Sequence, residues 1–244
     1  MNVAFFGATR GMGRALARLM AERGDRLVIL GRHPDDLERS AADLIARGAA
    51  FVGTALCDLE RPESFEPALA SASAQLGRLD TVVMTAGVFA TQTALEDDIE
   101  ATRRLLTADF TNTVLFCERA RVRLLAAGGG RLCVFSSVAG ERGRQSVVLY
   151  GAAKAGLTRY LEALDHRHRR EGLITVCVKP GFVKTAMTEA LPVPPFAGTP
   201  DGVAGRVLRA IDKGTPVIYA PAPWALIMLV IRWLPRFVMR RIGI

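Results

Sequence analysis

Short apolar runs alternate with amphipathic stretches along almost the whole chain, and this alternation most constrains what it can fold into. Residues 3–6, 26–30, 51–56, 81–84, 132–135, 174–178 and 217–219 read as strands. Between them Ala15, Leu16, Leu19 and Met20 recur at helical spacing, and residues 35–47, 62–76, 96–127 and 146–170 read as helices. Gly128-Gly129-Gly130 ends the third of these with a helix-stop signal. Strands that alternate with helices lie parallel, and a parallel sheet needs both faces covered. The expectation is an α/β protein: a doubly wound, Rossmann-type sheet of about seven parallel strands with helices on both faces. A chain of 244 residues suits one domain, placed at 1–220, with 221–244 as an amphipathic helical extension. No internal repeat or linker marks a second domain.

The first strand runs into Gly7-Ala8-Thr9-Arg10-Gly11-Met12-Gly13 and then a helix. Glycine lets the backbone approach a pyrophosphate, and a helix N-terminus offers N–H donors and positive partial charge. The spacing is G-x-x-x-G-x-G rather than G-x-G-x-x-G. An ordinary turn has the same composition; the flanking strand and helix favour a phosphate cradle. The second strand ends at Gly31-Arg32-His33. An acidic residue there would accept from a ribose 2′-hydroxyl, whereas an arginine suits a 2′-phosphate, which Arg10 could also reach. NADP(H) is therefore expected over NAD(H); the other reading leaves both arginines, like His33, on a solvated surface. Gly7, Arg32, Asp58 and Gly87 all fall at strand carboxyl ends, where such sheets bind ligands.

Tyr150 and Lys154 lie four residues apart, on one face of a helix. A free phenol titrates near 10 and is a poor acid or base at neutrality. A neighbouring ammonium favours the phenolate and so makes the phenol a usable proton donor. In isolation the pair reads as a packed tyrosine and a solvated lysine. Here the glycine turn, Ser136-Ser137 and Pro180-Gly181 accompany it.

The net charge of +8 suggests an anionic partner, namely a phosphorylated cofactor, an anionic lipid surface or nucleic acid, or else a generally arginine-rich surface. His166-Arg167-His168-Arg169-Arg170 reads as a solvated helix end, and no motif supports a nucleic-acid partner. Cys57, Cys117, Cys133 and Cys177 show no C-x-x-C pair and no histidine cluster, so no metal site is expected. Buried free thiols in a reducing compartment fit them best, and a strand at residues 2–6 leaves no signal peptide, so the expected location is cytoplasmic.

The tail departs from this pattern. Residues 224–231 are strongly apolar but too short to span a bilayer, which takes about 20. Arg232, Arg236, Arg240 and Arg241 follow, with Trp233, Phe237 and Val238 between them, and no Asp or Glu occurs after Asp212. Pro235 starts a second short helix. One reading is an interfacial element over 222–244, peripheral at the inner face of a membrane. The other is a helix pair packed on its own domain or on a second subunit. On the first reading the substrate is a lipid-linked or long-chain carbonyl, with Pro192-Val193-Pro194-Pro195-Phe196-Ala197-Gly198 as a mobile lid beside it.

In Gly7/Gly11/Gly13, Asp58-Leu59, Ala86-Gly87, Ser137, Tyr150/Lys154 and Pro180-Gly181, in that order, the chain resembles the short-chain dehydrogenase/reductase superfamily in its common single-domain form. The resemblance implies a dinucleotide site made by Gly7, Thr9, Arg10, Gly11, Met12, Gly13, Arg32, Asp58, Leu59, Ala86, Gly87, Tyr150, Lys154, Pro180, Gly181, Val183 and Thr185. It implies that Asp58 accepts from the adenine amine and that Ser137 holds the substrate carbonyl. Tyr150 then delivers the proton and Lys154 holds the nicotinamide ribose. The implied reaction is hydride transfer between NADP(H) and the carbonyl or alcohol of an apolar, lipid-like small molecule. A lipid-linked sugar keto-reductase, or a catalytically idle NADP(H) sensor or scaffold, is the alternative. A homodimer or homotetramer is implied, since the family commonly pairs its long central helices across subunits. Two departures stand out. Met84-Thr85-Ala86-Gly87 replaces Asn-Asn-Ala-Gly, and Asp109 takes the place of the family's catalytic asparagine, with Asn112 one turn later.

Overall fold

The computed structural model describes residues 1–189 and 191–242. Among the described residues are seven strands: β1 (Asn2–Phe6), β2 (Arg26–Gly31), β3 (Phe51–Leu56), β4 (Thr81–Met84), β5 (Gly130–Phe135), β6 (Leu173–Pro180) and β7 (Val217–Ala220). They form one sheet in the order β3-β2-β1-β4-β5-β6-β7, and every neighbouring pair is parallel. The chain moves outward from β1 to β3, then crosses back to place β4 on the other side of β1. The strand order reverses there, and a crevice opens beyond the carboxyl ends of β1 and β4.

Strand side chains alternate between two cores. Ala4, Phe6, Val28 and Leu30 face α3 (Phe65–Leu76), α6 (Thr113–Ala126) and α7 (Val148–His168). Phe6, Phe65 and Phe116 meet there with ring centroids 5.1 to 6.5 Å apart. Val3, Phe5, Leu27 and Ile29 face α1 (Gly11–Glu22), α2 (Pro34–Ala46) and α8 (Pro200–Lys213). Burial on both faces explains why the inner strands are apolar at every position rather than at alternate ones.

The stretch read as one helix over 96–127 is broken. α4 (Gln92–Asp97) stops at Asp98, whose carboxylate accepts from the N–H of Glu100 (2.9 Å) and Ala101 (3.1 Å) to start α5 (Ile99–Leu106). A π-helical turn, Thr107–Asn112, then leads into α6. The widened turn aims both Asp109 and Asn112 inward, and both are buried. Such turns recur where a helix gives up regular hydrogen bonding to place a side chain.

The tail forms α9 (Pro223–Trp233) and α10 (Arg236–Arg241); residues 243 and 244 of the stretch read as an extension lie outside the described residues. One face packs on the chain's own sheet domain: Met228 is fully buried, Arg232 pairs with Glu141 (3.4 Å), and Arg142 donates to the carbonyl of Leu234 (2.7 Å). The other face leaves Leu226, Leu229, Val230, Phe237 and Trp233 in the open, Trp233 at 80%. No described helix is long and apolar enough to cross a membrane.

All four cysteines are buried free thiols. Burial pushes Cys57 up to about 12 and Cys177 up to about 11, which keeps them protonated and unreactive.

Candidate active site

The turn between β1 and α1 is built for close approach. Gly7 has φ +98°, in the left-handed region that favours glycine. A Cβ at Gly13 would fall on the Gly7 carbonyl and the Thr85 hydroxyl, so α1 starts hard against the strand ends only because residue 13 has no side chain. Thr85 donates to the carbonyl of Gly7 (2.9 Å) and ties β4 to the turn. That gives the threonine in the Thr85-Ala86-Gly87 departure a structural reason.

Arg10, at the helix N-cap, makes no capping bond through its side chain, and the first-turn N–H groups of any helix lack partners within it. They face a cavity of ≈ 420 Å³ whose near wall is Gly7, Thr9, Arg10, Gly11, Met12 and Gly13. Its far walls hold Arg32, Asp58 and Leu59 on one side and Ala86 and Gly87 on the other. Asn112 donates to the Leu59 carbonyl (2.8 Å), so the π-helical turn buttresses this wall. Uncapped N–H donors, a turn without side chains and two arginines fit a dinucleotide phosphate.

The arginines are not alone there. Arg10 contacts Asp36 at 3.1 Å and Arg32 contacts Glu60 at 3.6 Å, while Arg32 also donates to His33 (3.0 Å). Arg39 and Arg10 together hold the Asp36 carboxyl below the usual carboxylate range. Asp36, Glu60 and His33 line the same corner and escape a sequence reading, because their pairing depends on how β2, α2 and the loop after β3 come together.

A second cavity, of ≈ 630 Å³, meets the first at Met12, Thr85, Gly87, Val88, Thr185 and Met187. Its polar end holds Asp109, Ser137, Tyr150 and Lys154, beside Pro180, Gly181 and Val183. The remaining lining is mostly apolar, with Phe89, Phe182, Leu191 and Pro194 alongside Ile227 and Ile231 of α9, and Arg144 is its charged member. Trp224 packs its indole on Gly181 and donates to the carbonyl of Phe196 (3.1 Å), which ties the loop over 192–198 to α9. The tail therefore forms part of this cleft, a role that its apolar character alone does not disclose.

At the polar end, Lys154 Nζ lies 3.1 Å from Asp109 Oδ2 and 5.6 Å from the centroid of the Tyr150 ring. Asp109 Oδ1 accepts from the Val88 N–H (2.8 Å), and Oδ2 has the ammonium contact but no well-aligned hydrogen bond among the described residues. Burial works to lower Lys154, but the Asp109 charge outweighs it and holds the side chain as an ammonium above its ordinary value. Tyr150 is raised. Burial is the first cause, the Lys154 charge pulls the phenol down, Asp109 pushes it up, and Ser137 pulls it down as a hydrogen-bonding neighbour. The sequence leads one to expect an ammonium that lowers the phenol; burial and a carboxylate three ångströms from that ammonium outweigh it. Phe89 sits edge-on to the Tyr150 ring, centroids 5.3 Å apart.

The serine pair divides its work. Ser137 Oγ accepts from the Ala139 N–H (3.1 Å) and lines the cleft. Ser136 Oγ donates to the Lys154 carbonyl (3.0 Å) and lies 2.7 Å from Thr158 Oγ1, which clamps α7 to the end of β5. Among the described residues no group of three or more His, Cys, Asp or Glu could hold a metal ion.

A family model described as short chain dehydrogenase matches residues 2–193. The chain is similar to an uncharacterized oxidoreductase of Mycobacterium tuberculosis, 35% identical over 241 residues that cover 98% of this chain and 96% of that protein. It is also similar to the human 3-oxoacyl-[acyl-carrier-protein] reductase, 30% identical over 188 residues, 77% of this chain and 78% of that one. A solved structure described as a short chain dehydrogenase/reductase family protein superposes with a TM-score of 0.77 at 25% identity, covering 89% of this chain and 94% of that one.

Proposed function

The chain belongs to the short-chain dehydrogenase/reductase family of NAD(P)-dependent oxidoreductases, and from that premise we propose that it reduces an apolar, lipid-like ketone with NADP(H), Tyr150 acting as the proton donor. One observation carries this reading. The glycine-lined cavity and the apolar cavity join beside Tyr150, Lys154 and Asp109, so a nicotinamide reaching from one would meet a carbonyl lying in the other. The relative named as a reductase supports the same direction.

Gly11, Gly13 and the first turn of α1 would hold the pyrophosphate. Asp58 and Leu59 would hold the adenine, and Pro180, Gly181, Val183 and Thr185 would hold the nicotinamide side. The bound cofactor supplies the hydride. Ser137 donates to the substrate carbonyl oxygen and stabilises the charge that develops on it. Tyr150 passes its phenolic proton to that oxygen, and Lys154 stabilises the phenolate left behind. Burial and Asp109 hold the Tyr150 phenol above its ordinary value, so it carries its proton at neutral pH, and the Lys154 charge is the pull that eases the proton's release. Asp109 keeps Lys154 charged and ties it to the backbone at Val88.

The cofactor preference follows from Arg10 and Arg32. Both arginines are solvent-exposed, and their carboxylate contacts are solvent-screened pairs of little worth, readily exchanged for a 2′-phosphate. NADPH oxidation against ketones of increasing chain length, with NADH alongside, is expected to give a kcat/KM that rises with chain length. NADPH should be favoured about 10- to 100-fold, the worth of one or two charge-assisted contacts. A preference for NADH would remove the role given to Arg10 and Arg32.

The outer face of α9 and α10 is proposed to rest on an anionic membrane surface, as a peripheral contact from the cytoplasmic side. Leu226, Leu229, Val230, Trp233 and Phe237 supply apolar contact, and Arg241 supplies charge with no acidic residue after Asp212. The full-length protein should float with phosphatidylglycerol vesicles, and a Trp233→Glu, Phe237→Glu variant should stay at the bottom of the gradient. Equal behaviour of the two would end this part of the reading.

A further inference from the structure

Next to the apolar cleft lies a smaller cavity, of ≈ 480 Å³, whose lining is unusual in charge. Arg142 and Arg144 enter it from the loop before α7, and Arg236 and Arg240 enter from α10. Val148 and the buried Met239 complete most of the wall, and among the described residues no carboxylate lines it. Among the described residues none of these four arginines is in a salt bridge, whereas Arg232 nearby pairs with Glu141. The cavity is a fixed feature rather than a loose crossing of side chains: Arg142 donates to the Leu234 carbonyl (2.7 Å) and Gln145 donates to the Arg240 carbonyl (3.2 Å), which pins loop to tail from both sides.

Arg144 is the link. It lines both this cavity and the apolar cleft that holds Tyr150, and it is the residue they share. Its Nε is buried without a hydrogen-bond partner among the described residues. An N–H shut away from water without a partner costs free energy unless a ligand satisfies it. Guanidinium groups converging without carboxylates offer bidentate donors to phosphate oxygens, a match that ammonium groups do not reproduce. Burial also pulls Arg144 below the ordinary guanidinium value, as expected for a cation that lacks a counter-charge.

We infer that the cavity bounded by Arg142, Arg144, Arg236 and Arg240 is a phosphate subsite, and that the substrate of the adjoining cleft is an amphiphile with a phosphate ester at one end. This rests on the reading of that cleft as the substrate site. Arg144 orients the ligand at the junction: the phosphate lies on the tail side and the apolar, carbonyl-bearing part runs towards Ser137 and Tyr150. The tail thereby becomes a specificity element, since α10 supplies half of the arginines and α9 supplies a wall of the cleft.

Equilibrium binding tests this without any turnover, so its outcome is separate from whether the protein reduces ketones. Tryptophan fluorescence of the full chain is titrated with decyl phosphate below its micelle concentration, with decyl maltoside, and with inorganic phosphate. Decyl phosphate is expected to bind at least about tenfold more tightly than either of the others. Arg144→Gln should lower its affinity about 10- to 100-fold while decyl maltoside binds as before, and Arg144→Lys should restore part of the loss. If Arg144→Gln shifts the melting transition, Arg240→Gln on the opposite wall makes the same test. Equal affinity for decyl phosphate and decyl maltoside overturns the subsite. Inorganic phosphate binding as tightly as decyl phosphate overturns the amphiphile. Variants that bind decyl phosphate as the parent does overturn the role of these arginines.

Discussion

Tyr150→Phe is expected to lower kcat/KM for ketone reduction by about 10²- to 10⁴-fold, the usual worth of a positioned general acid, with NADPH affinity changed little. The substitution removes one oxygen and leaves the ring edge-on against Phe89, so the packing around α7 persists. It takes away the one phenol that lines the polar end of the cleft among the described residues, beside Lys154 and Asp109. On the proposed reading Ser137 remains as a hydrogen-bond donor to the substrate carbonyl and the glycine turn remains to hold the cofactor, so binding and chemistry should separate. Stopped-flow or steady-state NADPH oxidation gives the rate, and fluorescence titration gives the affinity. Turnover unchanged in the variant would mean that the proton comes from elsewhere. A parent protein that binds NADPH yet turns over no ketone would make the chain a sensor or scaffold.

Asp109→Leu is expected to cost about 3–5 kcal/mol of folding stability, measured by chemical denaturation, because it strands a buried ammonium. Lys154 is 5% exposed, its Nζ lies 3.1 Å from the carboxylate, and the Val88 N–H depends on the same side chain. Asp109→Asn should cost less, since an amide oxygen still accepts from Val88. The pH dependence has a definite sign. The folded value of Lys154 is raised above its unfolded value, so its stabilisation is fully present below the ordinary lysine value of about 10.4 and is lost as pH rises through the folded value. The gap between parent and variant should therefore stay flat across neutral pH and close only in strong alkali.

The strands and the glycine turn were legible because their signals are local. Seven apolar runs flanked by helix-period stretches leave few topologies open, and Gly7 to Gly13 sits where a strand must turn into a helix. What escaped depends on distant partners. Asp98 reads as one more charged residue in a helical stretch until its carboxylate is seen capping α5. Thr85 reads as a departure until its hydroxyl is seen on the Gly7 carbonyl. Arg10 and Arg32 lead one to expect a phosphate from their positions, but Asp36 and Glu60 come to them from elsewhere in the chain. The tail's signal is ambiguous by its chemistry. Its apolar character fitted both a lipid surface and a packed pair, and α9 in fact presents one face to the cleft and leaves the other open. Asp109 could be placed beside the catalytic residues from its position. Its direct contact with Lys154, and hence its hold on Tyr150, depends on the π-helical turn that no local pattern marks.

The most direct measurement of whether Asp109, Lys154 and Tyr150 form one electrostatic unit around a proton is the alkaline limb of kcat/KM for NADPH-dependent ketone reduction, compared between the parent and Asp109→Asn. With the carboxylate gone, one of the charges that raise the phenol is removed while the Lys154 pull stays, so the limb should move to lower pH. A limb that stays where it was, or moves to higher pH, would contradict the coupling and the role assigned to Tyr150 with it.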